Sequence, residues 1–199
     1  MTPTSAVVLM HLQNDVIDPA GTVGRHGNAA EVARRDVLAR TAALLAAARS
    51  AAVPVAHVGA AYTPATAGGA RNVPLFAHHE HDGRRFIGSW AADFHPAVAP
   101  VAGDIVHHHF GVIAFEGTTL SRDLTQRGVN HLYLAGVSTH IAVLATTFAA
   151  TDRGYYVSVV DDCCAAATPE LHDTALQTLR LFAEITTSDA AVAAIGPQA

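Results

Sequence analysis

A chain of 199 residues with a formal charge of -5 and an isoelectric point near 6.2 is long enough to bury a sizeable core. That charge balance speaks against a nucleic-acid partner, which would want a basic face. Half of the residues are hydrophobic, yet the apolar runs are interrupted well short of the roughly 20 residues of a membrane span, and no basic segment leads into an apolar stretch at the N-terminus.

One domain over residues 1–199 is expected, cytoplasmic, with a small-molecule partner, no nucleic acid and no membrane. Ala6 to His11 (AVVLMH) is a continuous apolar run ending on a polar residue, the pattern of a central parallel strand buried on both faces. Ligands of open α/β sheets sit beyond the carboxyl ends of the strands, which puts His11 at the ligand level. Leu12 to Gly21 reads as a polar loop punctuated by Pro and Gly. Within it, Gln13 and Asp15 either orient His11 and its loops or serve as ordinary loop caps.

Glu31 to Ala52 predicts one amphipathic helix carrying Val32, Val37, Leu38, Leu44 and Leu45. Val53 to Val58 predicts a second strand. Gly59 to Gly103 is irregular, anchored by Phe76, Phe86, Ile87, Trp90 and Phe94, and a segment of that length is either a pocket wall or a subunit contact. His78, His79 and His81 flank Glu80, but a local HHEH gives no convergence of ligands, so no metal is expected.

Asp104 to His109 (DIVHHH) predicts a third strand with His109 at its carboxyl end, while His107 and His108 are read as packing residues. Gly111 to Thr118 is a turn carrying Phe115, and Leu120 to Arg127 a short helix closed by Gly128. His131 to Gly136 is the fourth strand. It enters a Gly-Val-Ser-Thr turn and then a small-residue helix from Ile141 to Ala150, whose N-terminal amides, at Ile141 and Ala142, form a cradle for an oxyanion. Thr139 and His140 belong to that turn, His140 facing either the pocket or a neighbouring subunit.

Tyr155 to Val160 is the fifth strand, with Asp161, Asp162, Cys163 and Cys164 at its end. The adjacent cysteines suit a reducing compartment, and the two carboxylates beside them would raise a thiol's pKa, so core packing is expected rather than attack. Thr168 and Pro169 open a helix to about Ala183. Ile185 to Thr187 is a last short strand and Ser188 caps a last short helix. The alternation predicts an α/β fold: a Rossmann-like three-layer α/β/α arrangement with a six-stranded, mostly parallel sheet.

VVLMHLQNDVIDP, GDIV with AFEGTTL, GVSTHIAVLAT and RGYYVSVVDDCCAA occur in this order, and through them the chain resembles the isochorismatase-like (cysteine hydrolase) superfamily over nearly its whole length. The resemblance implies an Asp, Lys and Cys triad that hydrolyses amides through a thioester-type intermediate. The Asp position is His11, the Lys position aligns with His109 and the Cys position is Ala142. A methyl group cannot attack a carbonyl, so the covalent route is closed at Ala142. The metal ligands of nicotinamidase-like members have no counterpart in the GAAYTP that follows the second strand, and no cofactor is implied.

The family also includes members that cleave a vinyl ether by protonating a carbon without a thiol, and an imidazolium could be that acid. Two readings remain. In the first, the chain is a hydrolase of a C–N or enol-ether type bond, with His11 and His109 as acid and base, one charged and one neutral. The pocket would be walled by Gln13, Trp90, Phe115, Thr139 and His140. In the second, it is a non-catalytic protein binding a small ligand on the same fold. A homo-oligomer is expected from the apolar helix faces together with the family resemblance.

Overall fold

A computed structural model describes residues 4–63, 73–75 and 85–195. In chain order the elements are β1 Ser5–Met10, α1 Asn14–Ile17, α2 Asn28–Arg34, α3 Val37–Ser50, β2 Val55–Ala60 and β3 Ile105–His109. There follow α4 Leu120–Thr125, β4 His131–Val137, α5 Leu144–Asp152, β5 Tyr156–Ala165, α6 Pro169–Leu179, β6 Glu184–Thr186 and α7 Ser188–Ile195. The strands form one sheet in the order β3-β2-β1-β4-β5-β6, every pairing parallel. The expected α/β class is therefore borne out, and the sheet is wholly rather than mostly parallel.

The continuous apolar runs become the middle strands because both faces are covered by helices. Val7, Val8 and Met10 of β1 and Leu132, Leu134 and Ala135 of β4 are fully buried. Chain order reverses between β1 and β4, and in doubly wound sheets the crevice above such a switch point receives the ligand. Residue 136 must be glycine. A Cβ there would lie 2.1 Å from the Met10 carbonyl oxygen, and its φ is +133°.

The single helix expected over 31–52 is two. Asp36 takes a left-handed φ of +56° and separates α2 from α3. The break presents Arg35 to β5, where its guanidinium donates to the Cys164 carbonyl at 3.0 Å and to the Asp161 carboxylate at 2.6 Å. β5 continues through Asp161 to Ala165 instead of stopping at Val160. Asp162 caps α7, accepting from the Ser188 amide at 2.7 Å and its hydroxyl at 2.8 Å.

The loop after β1 contains the one-turn α1 and a 3-10 turn at Gly24–His26. Phe76, His78, His79, Glu80 and His81 lie outside the described residues. Among the described residues no helix is long and apolar enough to cross a membrane.

Candidate active site

His11 follows β1 and His109 ends β3, so β2 lies between them. Two strand spacings are about 9.6 Å, a gap that two imidazoles reaching over a small residue can close. Ala60 supplies the small residue: it is in register with His109 and lines the cavity above. The two Nε2 atoms meet at 2.9 Å, with ring centroids 5.2 Å apart. Both rings are buried, and His11 holds a left-handed φ of +54°, uncommon outside glycine.

The proton positions follow from the acceptors. His109 Nδ1 faces the Glu116 carbonyl at 3.3 Å. A carbonyl only accepts, so Nδ1 carries the hydrogen, and in the neutral ring Nε2 is bare. His11 Nε2–H then donates to it, which leaves Nδ1 as the remaining lone pair of the residue that lines the cavity.

Both imidazoles are held below their ordinary pKa. For His11, burial, then His109, then the Arg85 guanidinium push it down to about 3. For His109, burial lowers it against the pull of the Glu116 carbonyl. Where one charged acid and one neutral base are expected, burial pushes both imidazoles towards the neutral form.

The cavity holds about 80 Å³. That is well above the roughly 10–15 Å³ needed to admit a single water, so a small molecule can enter. Its polar wall is His11, Arg85 and Ser138; Val16, Val137, Ile141 and Ala142 are among the apolar remainder. The Ala142 methyl group occupies the turn's cavity-facing position, so no thiol is present there.

Arg85 was not legible in the sequence as a site residue. It is buried and its Nε donates to Asp15 at 2.7 Å, while Asp15 also accepts from the Thr22 amide and hydroxyl at 2.6 and 2.7 Å. Asp15 therefore orients Arg85 instead of His11.

The turn after β4 begins with a π-helical stretch, Thr139–Val143, that runs into α5. Ser138 O accepts from the Ile141 amide at 3.2 Å and the Val143 amide at 3.3 Å. The Ile141 amide is thus occupied within the turn, whereas no backbone carbonyl outside the helical turn takes the Ala142 amide among the described residues.

Five residues expected in the pocket wall lie elsewhere. Gln13 is fully buried and bonded through its amide to Ala60 N and O and to Ala92 O, tying the β1 loop to β2. Trp90 is half exposed and meets Asn14 through its carbonyl. Phe115 packs on Tyr155, with Arg153 over its face at 4.8 Å. Thr139 turns its hydroxyl to His172 Nδ1 at 2.8 Å. His140 lies outside the wall with Nδ1 buried and without a hydrogen-bond partner among the described residues. Cys163 and Cys164 are buried, burial raising Cys163 to about 12 and Cys164 higher.

The isochorismatase domain model matches residues 5–190; the chain belongs to this family of isochorismatase-like hydrolases. Ureidoacrylate amidohydrolase RutB of Methylobacterium radiotolerans is 29% identical over 192 residues, covering 90% of this chain and 74% of the relative. A cysteine hydrolase from Pseudomonas syringae pv. phaseolicola superposes with a TM-score of 0.84 at 21% identity, over 96% of this chain and 92% of that one. An isochorismatase family protein from Burkholderia thailandensis gives 0.80 at 28% identity, over 98% and 97%.

Proposed function

We propose that this chain hydrolyses a small polar molecule at a C–N or enol-ether type bond, without a cysteine nucleophile. The observation that carries the reading is the 2.9 Å contact between His11 and His109 at the wall of a cavity beneath the β4 turn. On a C–N substrate, His11 Nδ1 takes a proton from water as the water oxygen attacks the carbonyl carbon, whereas an enol ether would need the protonated ring as acid. The positive charge that forms on His11 is shared with His109 through Nε2–H. Negative charge developing on the substrate falls beside Arg85 and the Ala142 amide.

A base pushed down to about 3 is weak in the empty site. The opposite charge appearing in the cavity is what raises its proton affinity, so base strength and oxyanion stabilisation grow together along the reaction. The amidohydrolase name of RutB supports a C–N bond as the target.

The low basicity of His11 also favours a second reading, a neutral site that binds a small ligand without turning it over. A panel of small amides, imides, enol ethers and hydrazones separates the two. Hydrolysis by the parent chain, lost in His11→Asn and His109→Gln, is the expected outcome. Ligand-induced thermal shifts without product would establish the binding reading, and no turnover together with unchanged binding by both variants would sink the hydrolase.

A further inference from the structure

Behind the turn that walls the cavity lies a chain of polar groups, Thr139 and His172 buried and Asp161 and Arg35 half-buried, that the hydrolytic reading leaves unused. Thr139 is fully buried, and its Oγ1 meets His172 Nδ1 at 2.8 Å. His172, on α6 and also buried, meets the Asp161 carboxylate of β5 through Nε2 at 2.8 Å. That carboxylate is clamped by Arg35 at 2.6 Å, and Arg35 is in turn bonded to the Cys164 carbonyl at 3.0 Å. The His172 bond, ahead of the opposing effect of burial, holds the Asp161 carboxyl below the usual range.

A carboxylate only accepts, so His172 Nε2 carries a hydrogen. In the neutral ring Nδ1 is then the acceptor for the Thr139 hydroxyl.

Hydroxyl, imidazole and carboxylate in this order resemble an activated nucleophile. Thr139 is nevertheless absent from the cavity wall and sealed from it. Its bonds act on the backbone instead. Thr139 is the residue next to Ser138, whose carbonyl gathers the amides of Ile141 and Val143, and Ser138, Ile141 and Ala142 are the cavity-facing side of the same turn.

We propose that Thr139, His172 and Asp161 are a positioning relay that pins the back of this turn to α6 and β5, and so sets the distance between the turn's front and the His11–His109 pair. The catalytic part of this assignment rests on the hydrolytic reading; the positioning part does not. Small displacements of an oriented group cost large factors in rate, so the relay acts on turnover without touching the substrate.

The test uses the full chain labelled with 15N and the variants T139V, T139S and H172Q. In T139V the Ile141 and Val143 amides exchange at least tenfold faster than any change seen across β1, the His172 Nδ1 resonance moves, and T139S restores both. H172Q gives the same local acceleration and keeps the test open if the valine variant fails to fold. For any panel compound that the parent hydrolyses, T139V lowers kcat/KM tenfold or more while the His11 and His109 resonances stay in place.

Unchanged exchange at the turn, acceleration spread evenly over the sheet, or a T139S indistinguishable from T139V would overturn the relay. Absence of turnover in the parent counts against the hydrolase alone, because exchange and the His172 signature decide the relay by themselves.

Discussion

Burial of His11 makes acid stability the sharpest probe of the site. The imidazole falls from 6.5 to about 3 on folding. Between those values the unfolded chain holds a proton that the folded chain does not, so stability rises with pH. The contribution is complete above 6.5 and lost as pH falls towards 3. At about 1.36 kcal/mol per unit, moving from pH 7 to pH 5 costs about 2 kcal/mol through this residue alone, and the loss reaches about 4 kcal/mol near pH 3.

His11→Asn removes the titrating group and keeps a residue that tolerates positive φ. Other buried histidines contribute equally to parent and variant, apart from a modest relief of His109. Urea denaturation at pH 7 and pH 5 therefore gives a parent that loses about 1–2 kcal/mol more than the variant. Equal losses would refute a neutral, desolvated His11.

Four other outcomes follow from the geometry. Formate, a small anion sized to the cavity, binds with uptake of a fraction of a proton at pH 6, because negative charge beside His11 restores its basicity; calorimetry in buffers of different ionisation enthalpy reads this, and proton-neutral binding contradicts it. Asp15→Ala removes the carboxylate that Arg85 meets at 2.7 Å and lowers stability by more than about 1 kcal/mol in urea melts, whereas a smaller loss would mean that the ion pair is not buried. Gly136→Ala drives a methyl group into the Met10 carbonyl and costs about 3 kcal/mol or more, seen as a lowered midpoint or insoluble protein. Iodoacetamide at neutral pH modifies Cys163 and Cys164 only as fast as the chain unfolds; rapid native-state alkylation would contradict their burial.

The sheet was readable because its inner strands are unbroken apolar runs, a pattern that only double-sided burial produces. His11 and His109 were readable as ends of such runs, although nothing in the residues gives the 2.9 Å between them. What escaped was determined by contacts across the chain. The break at Asp36 serves a bond from Arg35 to a strand 126 residues away, and helix periodicity carries no trace of it.

Arg85 sits in a stretch without periodicity. Its one signal was a pair of arginines, Arg84 and Arg85, in a chain where Lys and Arg together number 12. Phe115 reads as a pocket wall in the sequence, and only the fold stacks it on Tyr155 beneath Arg153. Thr139 looked like part of the cradle because of its place in the turn, and only the fold brings His172, 33 residues later, behind it.

The switch of chain order between β1 and β4 divides the molecule into two parts. Everything that shapes the imidazole pair, from β1 through β3 to the Glu116 carbonyl, comes from the first 130 residues, while the turn and its relay partners His172 and Asp161 come from the rest. The halves meet along the β1–β4 seam, Ser5 with His131 through Met10 with Gly136, and again where Arg35 clamps Asp161. The seam is a natural place to cut the gene. Fragments ending and beginning near residue 130 would carry the proton-handling groups and the turn on separate chains, so reassembly of the cavity could be switched on by mixing them, and each part could be diversified against a constant partner.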